Sequence, residues 1–407
     1  MSEIKEKDQV FERRYDLDWL RILAILLIFF YHCTKFFDTD AGWFIKNNEI
    51  NRYLDKAMSF GASFALPLFF VIAGMGTFYA LKFVSAGKYI LSRTIRLLVP
   101  FIIGLFTHIP LQIFLTRKQQ GLFSGNFFQF YGQMFNGIYV DNTSPGDFAI
   151  FGSHLWFLVI LFLYSLILLG PFVLLKKEKI HNGLLKITSF LVKPGLIFTF
   201  VIPIILCELL NFFLGGILPS IGGYSFYTYL VFYFIGYIIA ADKKFKESIE
   251  KQIIPALIVV IVAAISHAIL LVFYFLTVES GGSYPYELLD WIVYPILGWS
   301  LVILLMGLGS KYLNVNNKAR KFLNELVLPF YILHQTVIIV IGYYVVQLNY
   351  SIFTKYVIIA IASLPIILVL LAIIKYINPL RFMFGMSWKK GLLKKMRKEK
   401  YTSGIEK

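Results

Sequence analysis

The chain has 407 residues, of which 58% are hydrophobic and only 15% charged. Soluble domains carry about a quarter charged residues, so the composition excludes a soluble enzyme and points to a polytopic membrane protein. The net charge of +16 is gathered between apolar stretches, which suits anionic lipid and topology rather than a nucleic-acid partner.

Apolar runs near the length needed to cross a bilayer predict an all-α bundle of ten membrane helices. They fall at about 18–37, 59–81, 93–115, 154–175, 194–214, 224–241, 253–277, 288–309, 322–346 and 354–377. The organisation expected is an N-terminal segment 1–17, a membrane domain 18–377 and a basic tail 378–407. The N-terminus lacks the pattern of a signal peptide, since its apolar run holds Arg21 and His32 and no cleavage site follows. Cys33 and Cys207 both lie inside apolar runs and make neither a disulfide framework nor a metal pattern.

The first predicted helix carries Arg21 and His32. Eleven positions make three turns plus about 20°, so both side chains share one face, about 16 Å apart along the axis. Ionisable groups within a spanning helix are costly and normally face a bundle interior or a wet cavity. His32 is the candidate catalytic base, because histidine titrates near neutrality. The alternatives are an interhelical contact for His32, and for Arg21 a snorkelling side chain or a pair with Asp18.

Arg93 and Arg96 open the third helix at i, i+3 spacing, which puts two guanidiniums on one face and suits phosphate; the plainer reading is a topology signal. The long connection 116–153 is rich in Gly, Asn, Ser and aromatics, and a long loop within a compact domain is often functional. His154 and Trp156 open the fourth helix, where they suit either an interfacial belt or a sugar, the indole stacking and the imidazole hydrogen-bonding a hydroxyl. Glu208 lies within the fifth helix and must be neutral or paired; a histidine or arginine partner is expected. His334, in the ninth helix, is a second proton-active group or a packing contact. His108, His267 and Asp290 complete the intramembrane polar set.

Lysine and arginine alternate between the two sets of connections. One set holds Lys5, Lys7, Arg13 and Arg14, then Lys82 to Arg96, Lys176 to Lys193, Lys243 to Lys251, Lys311 to Lys321 and the tail from Arg381. The other holds only Lys35, Lys46, Arg52, Lys56, Arg117, Lys118 and Lys355. The positive-inside rule therefore places both termini in the cytoplasm, Arg21 at the cytoplasmic mouth, His32 toward the outer half and 116–153 outside. The tail lysines, Lys389 to Lys400, read as an anionic-lipid anchor.

No Walker loop, zinc spacing or Gly-x-Ser-x-Gly is present, which argues against a nucleotide hydrolase or metallohydrolase. A bundle with buried charges is compatible with an enzyme, with a transporter or flippase of a polar or lipid-linked solute, or with a sensor or scaffold. No internal repeat of the kind transporters often show is visible.

Arg21 and His32 with ten residues between them, Arg93-x-x-Arg96, the opening around Asp16 to Arg21, His154 to Leu158 and Leu328 to Gln335 together resemble the acyltransferase family 3 membrane proteins. The resemblance is greatest to the branch that includes glucan biosynthesis protein C, and it spans about 15 to 380. Many members read Ser-Gly in the second helix, where this chain has Ala73-Gly74. The resemblance implies transfer of an acetyl or succinyl group from cytoplasmic acyl-CoA to a hydroxyl of a cell-surface glycan. His32 would act as base or nucleophile with Arg21 beside it, Arg93 and Arg96 would hold CoA phosphates, and His154, Trp156, Glu208 and His334 would meet substrate. No tightly bound cofactor and no metal are implied.

Overall fold

A computed structural model describes residues 13–40, 42–51, 53–141, 143–216, 220–278 and 285–389. Lys5, Lys7, Arg52 and the tail lysines from Lys390 onward, all used above to set orientation, lie outside the described residues, as does the side chain of Lys56. The apolar stretches form helices as expected: α1 (Tyr15–Thr34), α2 (Leu54–Phe83) and α3 (Ala86–Gln119), followed by α4, a pair (Ser153–Ile167 and Leu169–Leu175) bent by 45°. After these come α5 (Leu196–Phe213), α6 (Phe226–Ala241), α7 (Ile253–Val278), α8 (Pro285–Tyr312), α9 (Lys318–Val345) and α10 (Ile352–Tyr376). Among the described residues, eight are long and apolar enough to span a bilayer, and the bent pair makes a ninth. The tenth, α6, has 16 residues, about 24 Å of helix, which is shorter than a bilayer core. It is shielded by neighbouring helices, since most of its residues are buried. The protein is thus an all-α polytopic bundle, with one two-stranded ribbon (Ser220–Ile221 with Tyr224–Ser225) beside α6.

Two glycines set the deepest contact. A Cβ on Gly74 of α2 would lie 1.9 Å from the Tyr233 carbonyl oxygen, and one on Gly236 of α6 would lie 2.0 Å from that of Val71. Each helix therefore meets the other's backbone through a residue with no side chain, the close approach that membrane helices use in place of hydrophobic driving force.

Helix α3 departs twice from α geometry. Thr94–Leu98 is a π turn containing Arg96, and such insertions recur at functional sites. Farther on, Pro110 cannot donate to Phe106, whose carbonyl instead accepts the Tyr131 hydroxyl at 3.1 Å.

The bundle has an arginine end and a histidine end. At the arginine end, Asp18 pairs with Arg320 and Arg13, not with Arg21. A short helix, Asn378–Met383, follows α10 there; its Arg381 is fully buried and donates to Glu325 at 2.7 Å. The first residues of the expected tail are therefore part of the bundle, because a buried guanidinium needs its carboxylate and carbonyl acceptors.

At the histidine end, residues 35–40 and 42–51 fold back as a cap with Phe36, Phe37, Trp43, Phe44 and Ile45 buried. Ion pairs pin it: Lys35 Nζ lies 2.5 Å from Asp38 and 2.9 Å from Asp40, and Lys46 Nζ lies 2.6 Å from Asp38. Lys355 Nζ of α10 donates to Asn47 Oδ1 at 2.7 Å and to the Val346 carbonyl at 3.0 Å.

Two outcomes follow from this packing. Gly236→Leu forces two backbones apart and lowers the detergent-solubilised melting temperature by several degrees, as overpacking of about 1–3 kcal/mol or more requires; an unchanged melting temperature contradicts the close approach. Burial raises the Asp40 carboxyl, but the Lys35 pair and the Gly42 N–H outweigh it and hold it below the ordinary range. A depressed carboxylate contributes stability above its unfolded value, near pH 4, and that contribution is lost as pH falls further. Amide protection factors in the cap (36–40 and 42–47), corrected for intrinsic exchange, therefore fall between about pH 6 and about pH 3 by more than those of α9, and a cap whose protection does not change removes Asp40 from its support.

Candidate active site

Helix α1 aims Arg21 and His32 along one inner face. Arg21, Arg93 and Arg96 line one cavity of about 290 Å³. Its walls are otherwise mostly apolar, with Ile25, Ile28, Phe69, Phe157 and Leu158 among them beside Tyr89, Ser92 and Tyr331, and no Asp or Glu is among its lining residues. Arg93 is held by hydroxyls: Nε donates to Tyr89 Oη at 3.0 Å and Nη2 to Thr77 Oγ1 at 3.0 Å, with the guanidinium 5.1 Å from the centre of the Tyr89 ring. Thr77, Tyr89, Tyr233 and Ser165 form one hydroxyl web behind it. The side chains of Arg21 and Arg96 make no hydrogen bond or ion pair with the described residues. Three guanidiniums with no carboxylate among the lining residues, in a mostly apolar wall, have the chemistry that suits an anion.

The cavity lining reaches Ile28 and Tyr331, each one turn short of a histidine. Those histidines, His32 of α1 and His334 of α9, are hydrogen-bonded, Nδ1 of the first to Nε2 of the second at 2.8 Å. Their rings are parallel within 6°. His334 Nδ1 lies 2.7 Å from the Tyr331 carbonyl oxygen. His154, at the start of α4, sits edge-on to His334 with ring centres 5.7 Å apart. Its Nε2 is 3.2 Å from the Ile332 carbonyl oxygen, and its buried Nδ1 has no partner among the described residues. The Tyr331 hydroxyl donates to the His154 carbonyl. Trp43 of the cap covers His32, with ring centres 5.4 Å apart.

Six of the eight residues singled out in the sequence thus fall in two adjoining groups: Arg21, Arg93 and Arg96 in the cavity, His32, His154 and His334 beyond it. Trp156 lies elsewhere, against Phe226 and Tyr229. Glu208 accepts from the Ser225 N–H at 3.0 Å, the Ser225 hydroxyl at 3.1 Å and the Thr228 hydroxyl. Its partners are the donors at the start of α6, where a carboxylate meets the helix dipole favourably, rather than the expected histidine or arginine. His267 pairs with Asp290 at 2.6 Å and His108 packs on Phe384; neither touches the histidine trio. Sequence reading missed Trp43, whose one signal is an indole in a charged loop, and the hydroxyl web behind Arg93.

A second cavity, about 760 Å³, lies among the connections at the histidine end. Lys46, Arg117, Gln120, Phe123, Gln133 and Asp147 line it. Arg117 is buried, pairs with Asp147 at 2.7 Å and is braced by the Ser144 and Gly146 carbonyls. Phe44 stacks on Tyr139, and Arg117 lies over the same ring, so an aromatic partition runs from this cavity to Trp43 and His32.

A family model described as an acyltransferase domain matches residues 14–372. No curated protein and no solved structure matches the chain. The match spans both residue groups and every membrane helix but the last turn of α10, so the chain belongs to the acyltransferase 3 family and is a membrane acyltransferase.

Proposed function

We propose that the protein resides in the cell membrane and moves an acetyl or succinyl group from cytoplasmic acyl-CoA to a hydroxyl of an extracytoplasmic glycan. The observation that carries this is the single cavity with an anion receptor and an apolar wall that stops one turn from His32. CoA joins phosphates to a long uncharged arm ending in a thioester. Arg21, Arg93 and Arg96 are the phosphate ligands in this reading, and the apolar wall takes the arm. The acyl carbon then lies near His32.

His32 takes the proton of the acceptor hydroxyl while that oxygen attacks the thioester carbonyl. The C–S bond breaks, and the thiolate takes the proton back from the imidazolium. A prior transfer of the acyl group to the imidazole is the other route with the same endpoints. The positive-inside distribution supports the arginine end as cytoplasmic. The second cavity then faces outward, where amides, charges and an aromatic wall suit a glycan. The resemblance to the glucan biosynthesis protein C branch favours a succinyl donor and a glucan acceptor.

Membranes carrying the protein, given labelled acyl-CoA and cell-surface glycan, test this. His32→Ala lowers transfer by about 10²-fold or more; transfer equal to wild type removes His32 from the chemistry. Alanine at Arg21, Arg93 or Arg96 raises KM for acyl-CoA by roughly ten- to a hundredfold, and an unchanged KM returns the three to a topology role. Phe123→Ala and Gln133→Ala raise KM for the glycan and leave that for acyl-CoA alone; the reverse pattern would assign the second cavity elsewhere.

A further inference from the structure

We propose that His334 is a positioning residue: it locks His32 in the tautomer with hydrogen on Nδ1, which makes Nε2 the nitrogen that reacts. What Nε2 reacts with rests on the acyl-transfer reading above; the tautomer itself does not.

The deduction starts from a backbone carbonyl, which only accepts. His334 Nδ1 lies 2.7 Å from the Tyr331 carbonyl oxygen, so this nitrogen carries hydrogen. A neutral imidazole has one N–H, which leaves Nε2 of His334 with a lone pair. That atom is 2.8 Å from His32 Nδ1. One hydrogen must lie between them, and only His32 has it to give. His32 therefore donates from Nδ1, and its Nε2 carries the lone pair.

The neutral state of His334 follows from its surroundings. It is fully buried, and its neighbours are the rings of Phe330, Tyr331, His32 and His154. An imidazolium there would be a buried charge without a counter-ion. The charged groups nearest the trio, Lys35 with Asp38 and Asp40, are paired among themselves in the cap.

Three elements thus hold one ring. α9 supplies the acceptor, α1 carries His32, and the cap lays Trp43 against it. His32 Nε2 finds no hydrogen-bond partner among the described residues, so nothing competes for its lone pair. When Nε2 takes the hydroxyl proton, both nitrogens of His32 carry hydrogen. The Nδ1–H then donates to the neutral His334 as a charge-assisted bond, which strengthens as charge develops. The His334 chain ends at a carbonyl, so the proton has no exit through it. It returns from Nε2 to the thiolate. The arrangement is the histidine-orienting logic of a catalytic triad, with an imidazole in place of the carboxylate.

Solid-state ¹⁵N NMR of the full-length protein in liposomes at neutral pH reads the tautomer directly, with the His32 signals identified by their loss in His32→Gln. The expected result is a protonated Nδ1 and a bare Nε2, the form disfavoured for free histidine; a protonated Nε2 overturns the proposal. In kinetics, His334→Leu lowers kcat by roughly 10²–10⁴-fold with KM for acyl-CoA unchanged. His334→Gln, whose amide oxygen accepts the same hydrogen, restores most of the rate. Full activity in His334→Leu, or no rescue by His334→Gln when that variant still binds acyl-CoA, refutes the role. If wild type transfers no acyl group from any acyl-CoA but shows the expected tautomer, the functional reading fails and the tautomer stands.

Discussion

A bilayer leaves a buried charge only two choices: a partner within the protein or one that arrives from outside. Most of the buried cations here have taken the first. Arg320 has Asp18, Arg381 has Glu325, Arg117 has Asp147, and Lys355 has an amide and a carbonyl. Each pair also ties two segments distant in sequence, so satisfying the charge and closing the bundle are the same event. Arg93 is held by neutral hydroxyls, and Arg21 and Arg96 by none of the described residues. The hydroxyl web orients a guanidinium without neutralising it, since Tyr and Thr offer lone pairs but no charge. Three arginines share one cavity without a lining carboxylate, while Arg320, Arg381 and Arg117 each have one, and that contrast favours an anionic ligand in the cavity.

The same constraint shapes the other end. A histidine is tolerated in an apolar interior when neutral and when its N–H finds an acceptor. Consecutive carbonyls of α9, from Tyr331 and Ile332, supply acceptors for His334 and His154, and His334 supplies one for His32. The helix that carries the ninth span is therefore also the template that orients the trio. α1 and α9 cannot slide against each other without breaking the 2.8 Å bond between His32 and His334. At the other end of the same pair of helices, Asp18 and Arg320 hold the register again.

Much of this was legible in the chain. Hydrophobic length located the long helices of the bundle, because a spanning segment must satisfy its backbone internally and declares itself by composition. Spacing placed Arg21 and His32 on one face and grouped Arg93 with Arg96. What spacing cannot express is which helices are neighbours. His32 and His334 are 302 positions apart, and nothing local marks them as a pair. Glu208 looked like a partner for a buried cation, but its acceptors were wanted nearer by, at the start of a helix that needed capping. Trp156 shares a turn with His154, yet its indole packs on Phe226 and Tyr229 of α6. The π turn at Thr94–Leu98 has no sequence signature, and Trp43 sits in a loop whose fold depends on ion pairs among residues 35–46.

The ordering of parts along the membrane axis constrains how a reaction can run here. The anion receptor and the histidine trio are separated by about three helical turns of α1, roughly 16 Å, and the cavity between them has an apolar wall. A small charged substrate would be held at the arginines and never reach the imidazole, and an uncharged one would have nothing to hold it. A ligand with charge at one end and a reactive group on a long neutral arm satisfies both, which is the shape of the donor proposed above. On the other side, the Trp43–Phe44–Tyr139 partition stands between His32 and the second cavity. A hydroxyl approaching His32 from there meets the Trp43 indole packed against the imidazole. In the acyl-transfer reading proposed above, the cap packed on His32 also shields the reacting carbon from water, so its ion pairs bear on selectivity for the acceptor over hydrolysis as well as on the stability of the fold.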